Sequence, residues 1–166
     1  MTTERSVKLV SEDGEIFTTT VAAGKLSVLV ANAIQEEDEE ETEVPLMNVS
    51  AEILKMVIKF CEHYIKDPMN NIEKPIPSSN MKDMVQDWYA EFIDPKNLAQ
   101  KVLFEVILAA NYMEIAPLLE LGTAAVASMM RGRTAEEIRE TFNIEDDLTD
   151  EEKQEIIDQN VWTEEP

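Results

Sequence analysis

The sequence lacks the residues on which several classes of protein depend. It has one cysteine, one histidine and four glycines among 166 residues. Because a lone Cys61 cannot form an intrachain disulfide, we expect a reducing compartment, the cytoplasm and nucleus. Glycine-rich phosphate loops, paired-cysteine motifs, the HExxH helix and the nucleophile elbow are missing. His63 has no second ligand nearby in the sequence. We therefore expect no cofactor, no metal ion and no enzymatic activity.

Positive charge is also scarce. The chain has 14 Lys and Arg residues against 35 Asp and Glu, which gives a formal net charge of −21. Such a surface repels the phosphates of nucleic acids and the head groups of anionic lipids, so neither is expected as a partner. There is no apolar run long enough to span a bilayer, and the first ten residues lack the apolar core of a secretory signal.

The first part of the chain has the pattern of a small α/β fold. Apolar and polar residues alternate around Asp13-Gly14, which predicts a β-hairpin because glycine accepts the positive φ of the turn. Helical spacing of apolar residues predicts one helix over 22–34 and another after Ser50, which we expect to cap it. The second helix carries Cys61 on its apolar stripe, where it is expected to be buried. A short strand is predicted at Val44-Pro45-Leu46.

Two segments are predicted to be loops. Residues 36–43 are nearly all acidic, and like charges at this density prevent burial. They form either a solvated loop, which we favour, or a docking segment for a basic partner. Residues 66–85 contain three prolines among Asn and Ser, which predicts a mobile loop.

Helix signals dominate the second half. Asn97 with Gln100 has the spacing of a capping box, and the helix that follows should break at Asn111-Tyr112. Pro117 fits the first turn of the next helix, and Gly132 its end. Two further capping boxes, each a Thr with a Glu three residues later, predict the last two helices. They are Thr134 with Glu137 and Thr149 with Glu152.

Apolar residues between Leu103 and Ile144 outnumber what a short helical segment can bury. The acidic tail after residue 144 cannot build its own core, yet it contains Trp162, whose indole is costly to leave in water. This tryptophan is expected to dock either on its own domain or on a partner.

Several long motifs occur in a familiar order. They are VPLMNVSAEILKMVIKFCEHY, LFEVILAANYMEI, GRTAEEIRETFNI and the final Asn160-Val161-Trp162. Together they closely resemble the S-phase kinase-associated protein 1 family, the F-box-binding adaptors of SCF ubiquitin ligases. The likeness covers nearly the whole chain and weakens only in the two loops.

The resemblance implies an α/β fold of the BTB/POZ type, a small sheet with helices, over residues 1–121, extended by C-terminal F-box-binding helices over 122–166. It implies a non-catalytic adaptor that bridges F-box proteins to a cullin. The cullin would contact Asn111 and Tyr112. The F-box helices would contact a separate surface formed by Phe104, Ile107, Leu108, Leu119, Val126, Met130, Ile138, Phe142, Ile144, Leu148 and Trp162.

Three positions depart from the family pattern. Leu148 stands where Phe is usual and Thr123 where Cys is common, which implies a differently shaped F-box groove. Asp150 replaces a proline that some lineages hydroxylate, so that regulation should be absent.

Other readings remain open from the sequence. An elongin C-like adaptor for another box motif would lack the C-terminal helices. An acidic chaperone would bind basic proteins by charge, and its binding would collapse with salt. Weak self-association into a homodimer is also expected of the free protein, because exposed apolar patches tend to associate.

Overall fold

The computed structural model describes residues 5–34 and 42–160. The chain divides into two compact units, one up to Arg131 and one from Gly132 onwards. This division falls later in the chain than the domain boundary that we predicted after residue 121. Residue 121 lies inside the helix Ala116–Met130. Most of the predicted acidic loop, together with Trp162, lies outside the described residues.

The first unit begins with a sheet of three strands in the order β2-β1-β3. Strands β1 (Ser6–Val10) and β2 (Ile16–Thr20) form the predicted antiparallel hairpin, and Gly14 has the positive φ, 82°, that the turn requires. Strand β3 (Glu43–Pro45) pairs with β1 in parallel. Val7, Leu9 and Val44 are buried on one face of this sheet, which confirms the α/β class with a small sheet.

The single helix predicted over 22–34 is wrong, because two short helices occupy this range. They are α1 (Val21–Gly24) and α2 (Val28–Ala33). The hydroxyl of the buried Ser27 accepts a hydrogen bond from the Val30 amide and donates one to the carbonyl of Met113. Ser27 therefore starts a new helix and ties it to a distant part of the chain.

Helix α3 (Ala51–Tyr64) buries the predicted apolar stripe, including Cys61, against the sheet and the neighbouring helices. Its predicted cap is wrong. Ser50 occupies the N-cap position but makes no side-chain capping bond. Instead, the Asp13 carboxylate from the hairpin turn accepts a hydrogen bond from the Ala51 amide at 2.9 Å. A carboxylate supplied by another element thus satisfies the helix terminus.

The predicted loop over 66–85 has only a 3-10 turn, Met81–Asp83, before α4 (Asp87–Phe92) begins. It is anchored, however, because Ile72 and Met81 are buried in the core. Arg131 also donates a hydrogen bond to the carbonyl of Ile76. The mobility of this loop stays a prediction.

Helices α5 (Gln100–Tyr112) and α6 (Ala116–Met130) pack against each other. The predicted Asn97–Gln100 capping box is wrong: α5 begins at Gln100, after a separate turn in which the carbonyl of Asp94 accepts the amides of Asn97 and Leu98. The predicted break after Tyr112, Pro117 in the first turn of α6 and the end of α6 before Gly132 are confirmed.

The second unit contains α7 (Ala135–Phe142) and α8 (Asp150–Gln159). Both predicted capping boxes are present. Thr134 and Thr149 each accept the amide of the Glu three residues later, whose carboxylate accepts the Thr amide in return.

Candidate protein-binding surfaces

Helix α5 has one face in the core and one in solvent. Leu103, Val106 and Ala110 are buried, whereas Phe104 and Leu108 are 38% and 67% exposed. Residues at i, i+4 and i+7 share one face of a helix. Phe104, Leu108 and the exposed Asn111 therefore form one outward row.

This row joins the two surfaces that we predicted to be separate. Asn111, assigned to the cullin, lies one helical turn beyond Leu108, assigned to the F-box. Tyr112 is half-buried, with part of its ring packed on the core of the first unit. Leu108 also lines a depression with Asn48, Ser50 and Glu105. The surroundings of Leu108 thus include the segment that leads into α3.

Helix α6 presents a second outward row, formed by residues at i, i+4, i+7 and i+11. Leu119 and Val126 are half-buried, and Thr123 and Met130 are exposed. Thr123 turns its hydroxyl back to the carbonyl of Leu119, at 2.8 Å, so its methyl group is the part available for contact. The row is thus apolar along most of its length.

Ile107 lies between these two helices. It is half-buried and packs against the core, and a Cβ atom placed on Gly122 of α6 would come within 2.6 Å of its Cγ1 atom. Glycine at position 122 therefore allows α5 and α6 to approach closely. The sequence did not predict a role for Gly122, because a glycine inside a helix indicates only a position of low helix propensity.

The row on α6 ends in an open depression beside Leu119. Tyr64, Pro117 and Thr123 contribute to its wall. Lys74 forms an ion pair with Glu120 at its edge, with 2.8 Å between Nζ and Oε1. The Lys74 side chain is 74% exposed, so this pair adds little to stability.

In the second unit, Ile138 and Phe142 are half-buried neighbours on α7, at the predicted i, i+4 spacing. Asn143 then adopts the left-handed conformation with φ 51°, and the Ile144 amide bonds back to the carbonyl of Arg139 at 2.9 Å. This helix end leaves Ile144 54% exposed.

Asp146 holds the segment between α7 and α8. Its carboxylate lies 3.9 Å from Arg139 of α7 and accepts a hydrogen bond from Lys153 of α8 at 2.8 Å. The hydrogen bond from Lys153 is the largest cause of the lowered pKa of Asp146. Leu148, between these contacts and the Thr149 cap, is 39% exposed.

Between residues 132 and 160 no residue is buried. The large apolar side chains there are at best half-buried, and α8 exposes two isoleucines that sequence reasoning did not assign to any surface, Ile156 and Ile157. The two helices therefore carry apolar residues without a core of their own.

The side chains that are chemically reactive in many enzymes, a thiol and an imidazole, lie elsewhere in this protein. Burial raises the pKa of the Cys61 thiol to about 12, which makes it a poor nucleophile. His63 stacks on the indole of Trp88 with 3.7 Å between ring centroids. Across residues 5–34 and 42–160, no group of His, Cys, Asp and Glu could hold a metal ion, and no helix has the length and hydropathy to cross a membrane.

Comparison with known proteins identifies the family. Residues 5–66 match the Skp1 family tetramerisation domain, a POZ domain, and residues 116–163 match the Skp1 family dimerisation domain. The S-phase kinase-associated protein 1 homolog of Tetrahymena thermophila is 43% identical over 96% of this chain and 94% of its own. The suppressor of kinetochore protein 1 of Schizosaccharomyces pombe is 36% identical over 95% of this chain and 97% of its own length. The E3 ubiquitin ligase complex SCF subunit sconC of Arthroderma benhamiae is 36% identical over 99% of this chain and 98% of its own length. With a BTB/POZ-type fold extended by C-terminal helices, this chain belongs to the Skp1 family.

Proposed function

We propose that this protein is the non-catalytic adaptor subunit of an SCF-type E3 ubiquitin ligase, which bridges F-box proteins to a cullin scaffold. Relatives named as SCF subunits align over nearly the full chain. The observation that carries the proposal is the absence of any buried residue between positions 132 and 160, although six large apolar side chains lie in this segment. Such a segment gains its core from a partner.

The F-box surface is proposed to comprise apolar residues of both units. In the first unit they are Phe104, Ile107 and Leu108 of α5 with Leu119, Val126 and Met130 of α6, and in the second they are Ile138, Phe142, Ile144 and Leu148. Trp162 keeps its proposed role on the sequence evidence alone. These side chains are partly exposed in the free protein. A matching apolar helix would bury their remaining apolar area, and each Å² buried would add roughly 25 cal/mol to the free energy of binding.

The cullin surface is proposed to comprise Asn111 and Tyr112. Mechanism is then a matter of geometry, because an adaptor that holds two partners fixes the distance between the bound substrate and the ubiquitin donor. Since Asn111 follows Leu108 on the same face of α5, we propose that the two partners lie close together there, rather than at opposite ends of the molecule.

Two sets of substitutions test this proposal. Met130→Asp places a charge in the outward row of α6 and should weaken binding of an F-box fragment about tenfold or more, which corresponds to about 1.4 kcal/mol. Asn111→Lys should weaken cullin binding and spare the F-box fragment; the double substitution with Tyr112→Lys should strengthen that effect. Lys59→Asp, on the exposed side of α3, is the control and should leave both affinities unchanged.

The single substitution at Asn111 keeps the test valid if Tyr112→Lys unfolds the chain, because Tyr112 contributes to the core. If Asn111→Lys abolishes both interactions while circular dichroism shows an intact fold, the two-surface arrangement is wrong.

The alternatives give different results. Deletion of residues 134–166 would spare partner binding by an elongin C-like adaptor, and the family match through residue 163 disfavours that reading. An acidic chaperone would lose its partners at about 0.5 M salt, where an apolar surface keeps them. Nucleic acid and membranes are not proposed as partners, and weak homodimerisation of the free protein is tested by light scattering across a dilution series.

A further inference from the structure

The outer edge of strand β2 has no partner strand in the part of the chain that the structure describes. The sheet order places β2 at one end of the sheet, with β1 on its other side. The Val21 amide donates a hydrogen bond to the Arg5 carbonyl at 2.8 Å, which makes these two residues a hydrogen-bonded pair of the hairpin. Such pairs alternate along an antiparallel ladder, so the N–H and C=O groups of Ile16 and Thr18 point away from β1, along the free edge.

This edge lacks the features that prevent strand pairing in many proteins, which are charged residues, proline and bulges. Strand β2 reads IFTTT and has neither a charge nor a proline, although 30% of the residues of the chain are charged. Its register with β1 runs without a bulge, and Ile16 is 56% exposed. The opposite edge is protected, because β3 has only three residues and contains Glu43 and Pro45.

The strand is held firmly from its inner face. Phe17 packs against the core of the first unit. The hydroxyl of the buried Thr19 donates a hydrogen bond to Oε1 of Glu62 on α3 at 3.0 Å. The edge is therefore a preformed template, and a segment that pairs with it would pay only for its own ordering.

Charge selects the occupant of this edge. A second copy of the chain would bring another formal net charge of −21, and like charges oppose that contact at low salt. Glu12 and Glu15 are exposed in the turn that precedes Ile16. In an antiparallel addition, the carboxyl end of the added strand lies beside the amino end of β2. Lys or Arg at that end would face these two carboxylates.

We propose that the outer edge of β2 binds an extended segment of a partner protein as an additional antiparallel strand. The segment has β-branched residues at alternate positions, which pair with Ile16 and Thr18, and Lys or Arg at its carboxyl end. No residue proposed to contact the F-box protein or the cullin lies on β2. The inference therefore goes beyond the proposed function and adds a third partner.

The experiment uses the full-length protein and labelled peptides of alternating Val and Thr. The test peptide ends in Lys and is N-methylated on every second residue, so that one of its edges can pair and it cannot form sheets with itself. One control peptide is N-methylated on every residue, and the other ends in Glu instead of Lys. At about 0.05 M salt, where charges are weakly screened, the test peptide should bind at least about tenfold more tightly than either control.

Thr18→Pro removes the outward amide and no hydrogen bond to β1, and proline is tolerated where the amide of an edge strand faces solvent. It should weaken binding of the test peptide about tenfold or more. Thr18→Val keeps the amide and is the matched control, which should bind as the wild type does. If Thr18→Pro unfolds, Ile16→Lys provides the test, because it places a cation on the exposed end of β2 and should also weaken binding of the test peptide.

Equal affinities of the test peptide and the fully methylated peptide overturn the inference, because binding would then not use the backbone edge. Equal affinities of the Lys-ended and Glu-ended peptides overturn it as well, and so does undiminished binding by a folded Thr18→Pro variant. If sedimentation shows wild-type dimers that Thr18→Pro dissociates, the edge pairs with a second copy and the inference is wrong. Each of these results leaves the adaptor function standing.

Discussion

The close approach of α5 and α6 gives a prediction with an unusual sign. Gly122→Ala should normally stabilise a helix, because Ala is favoured over Gly by about 1 kcal/mol in a helix interior. Here the new methyl group would lie 2.6 Å from Cγ1 of Ile107, about 1 Å closer than a normal carbon–carbon contact. Forced contacts of this kind cost about 1–3 kcal/mol.

The clash cannot be relieved by a simple rotation. Ile107 is β-branched and lies inside a helix, where one χ1 rotamer dominates. The shift must therefore be shared by the two helix backbones. We expect Gly122→Ala to lower the free energy of unfolding by up to about 2 kcal/mol, the difference between the packing cost and the helix gain.

A double-mutant cycle isolates the cause. Ile107→Ala removes the atom that the new methyl group would meet, so in that background Gly122→Ala should stabilise the protein by about 1 kcal/mol. Free energies from urea unfolding of the four proteins give the coupling, which we expect to be about 1–3 kcal/mol. A coupling near zero, with Gly122→Ala stabilising in both backgrounds, would refute the reasoning.

Three further outcomes follow from the hydrogen bonds and burial of single residues. Thr149→Ala removes the capping box of α8 and should reduce its stability by about 1 kcal/mol, seen as lost ellipticity at 222 nm. Asp13→Asn should make the stability of the protein depend less on pH at acid pH. The hydrogen bond from Ser11 is the largest cause of the lowered pKa of Asp13. The stabilisation by the ionised Asp13 carboxylate is therefore present above the unfolded-state pKa and is lost as the pH falls through the lower folded-state pKa. An unchanged dependence on pH would contradict this assignment. Cys61, with its pKa raised to about 12, should resist a thiol reagent at pH 8 until urea unfolds the protein, and rapid labelling of the native protein would exclude its burial.

Local signals predicted the elements whose termini are built from neighbouring residues. The hairpin around Gly14 and the boxes at Thr134 and Thr149 are complete within a few residues, and the structure has all three. Two predictions failed where a distant residue makes the bond. Asp13 replaces Ser50 at the start of α3, and Ser27 interrupts a helix because Met113 accepts its hydroxyl hydrogen bond.

For the candidate surfaces, too, the sequence predicted what depends on neighbouring residues and missed what depends on distant ones. Helical spacing places Phe104 and Leu108 on one exposed row of α5, as their apolar surplus indicated. Spacing could not show that Phe104, Leu108 and Asn111 are left uncovered, because a sequence pattern gives the faces of one helix but not which neighbours cover them. Gly122 was missed for a related reason: its role exists only in the distance to Ile107.

The lack of buried residues in α7 and α8 has a consequence for how the protein is measured and stored. A segment that completes its apolar core only in a complex should protect its amide hydrogens poorly when alone and strongly when bound. The heat capacity should fall on association by more than rigid docking of the contact area would give, because ordering and burial then occur in one event. Purified alone, this protein should therefore lose its carboxyl-terminal helices to a protease first, and the supply of F-box protein would set how long the intact adaptor lasts.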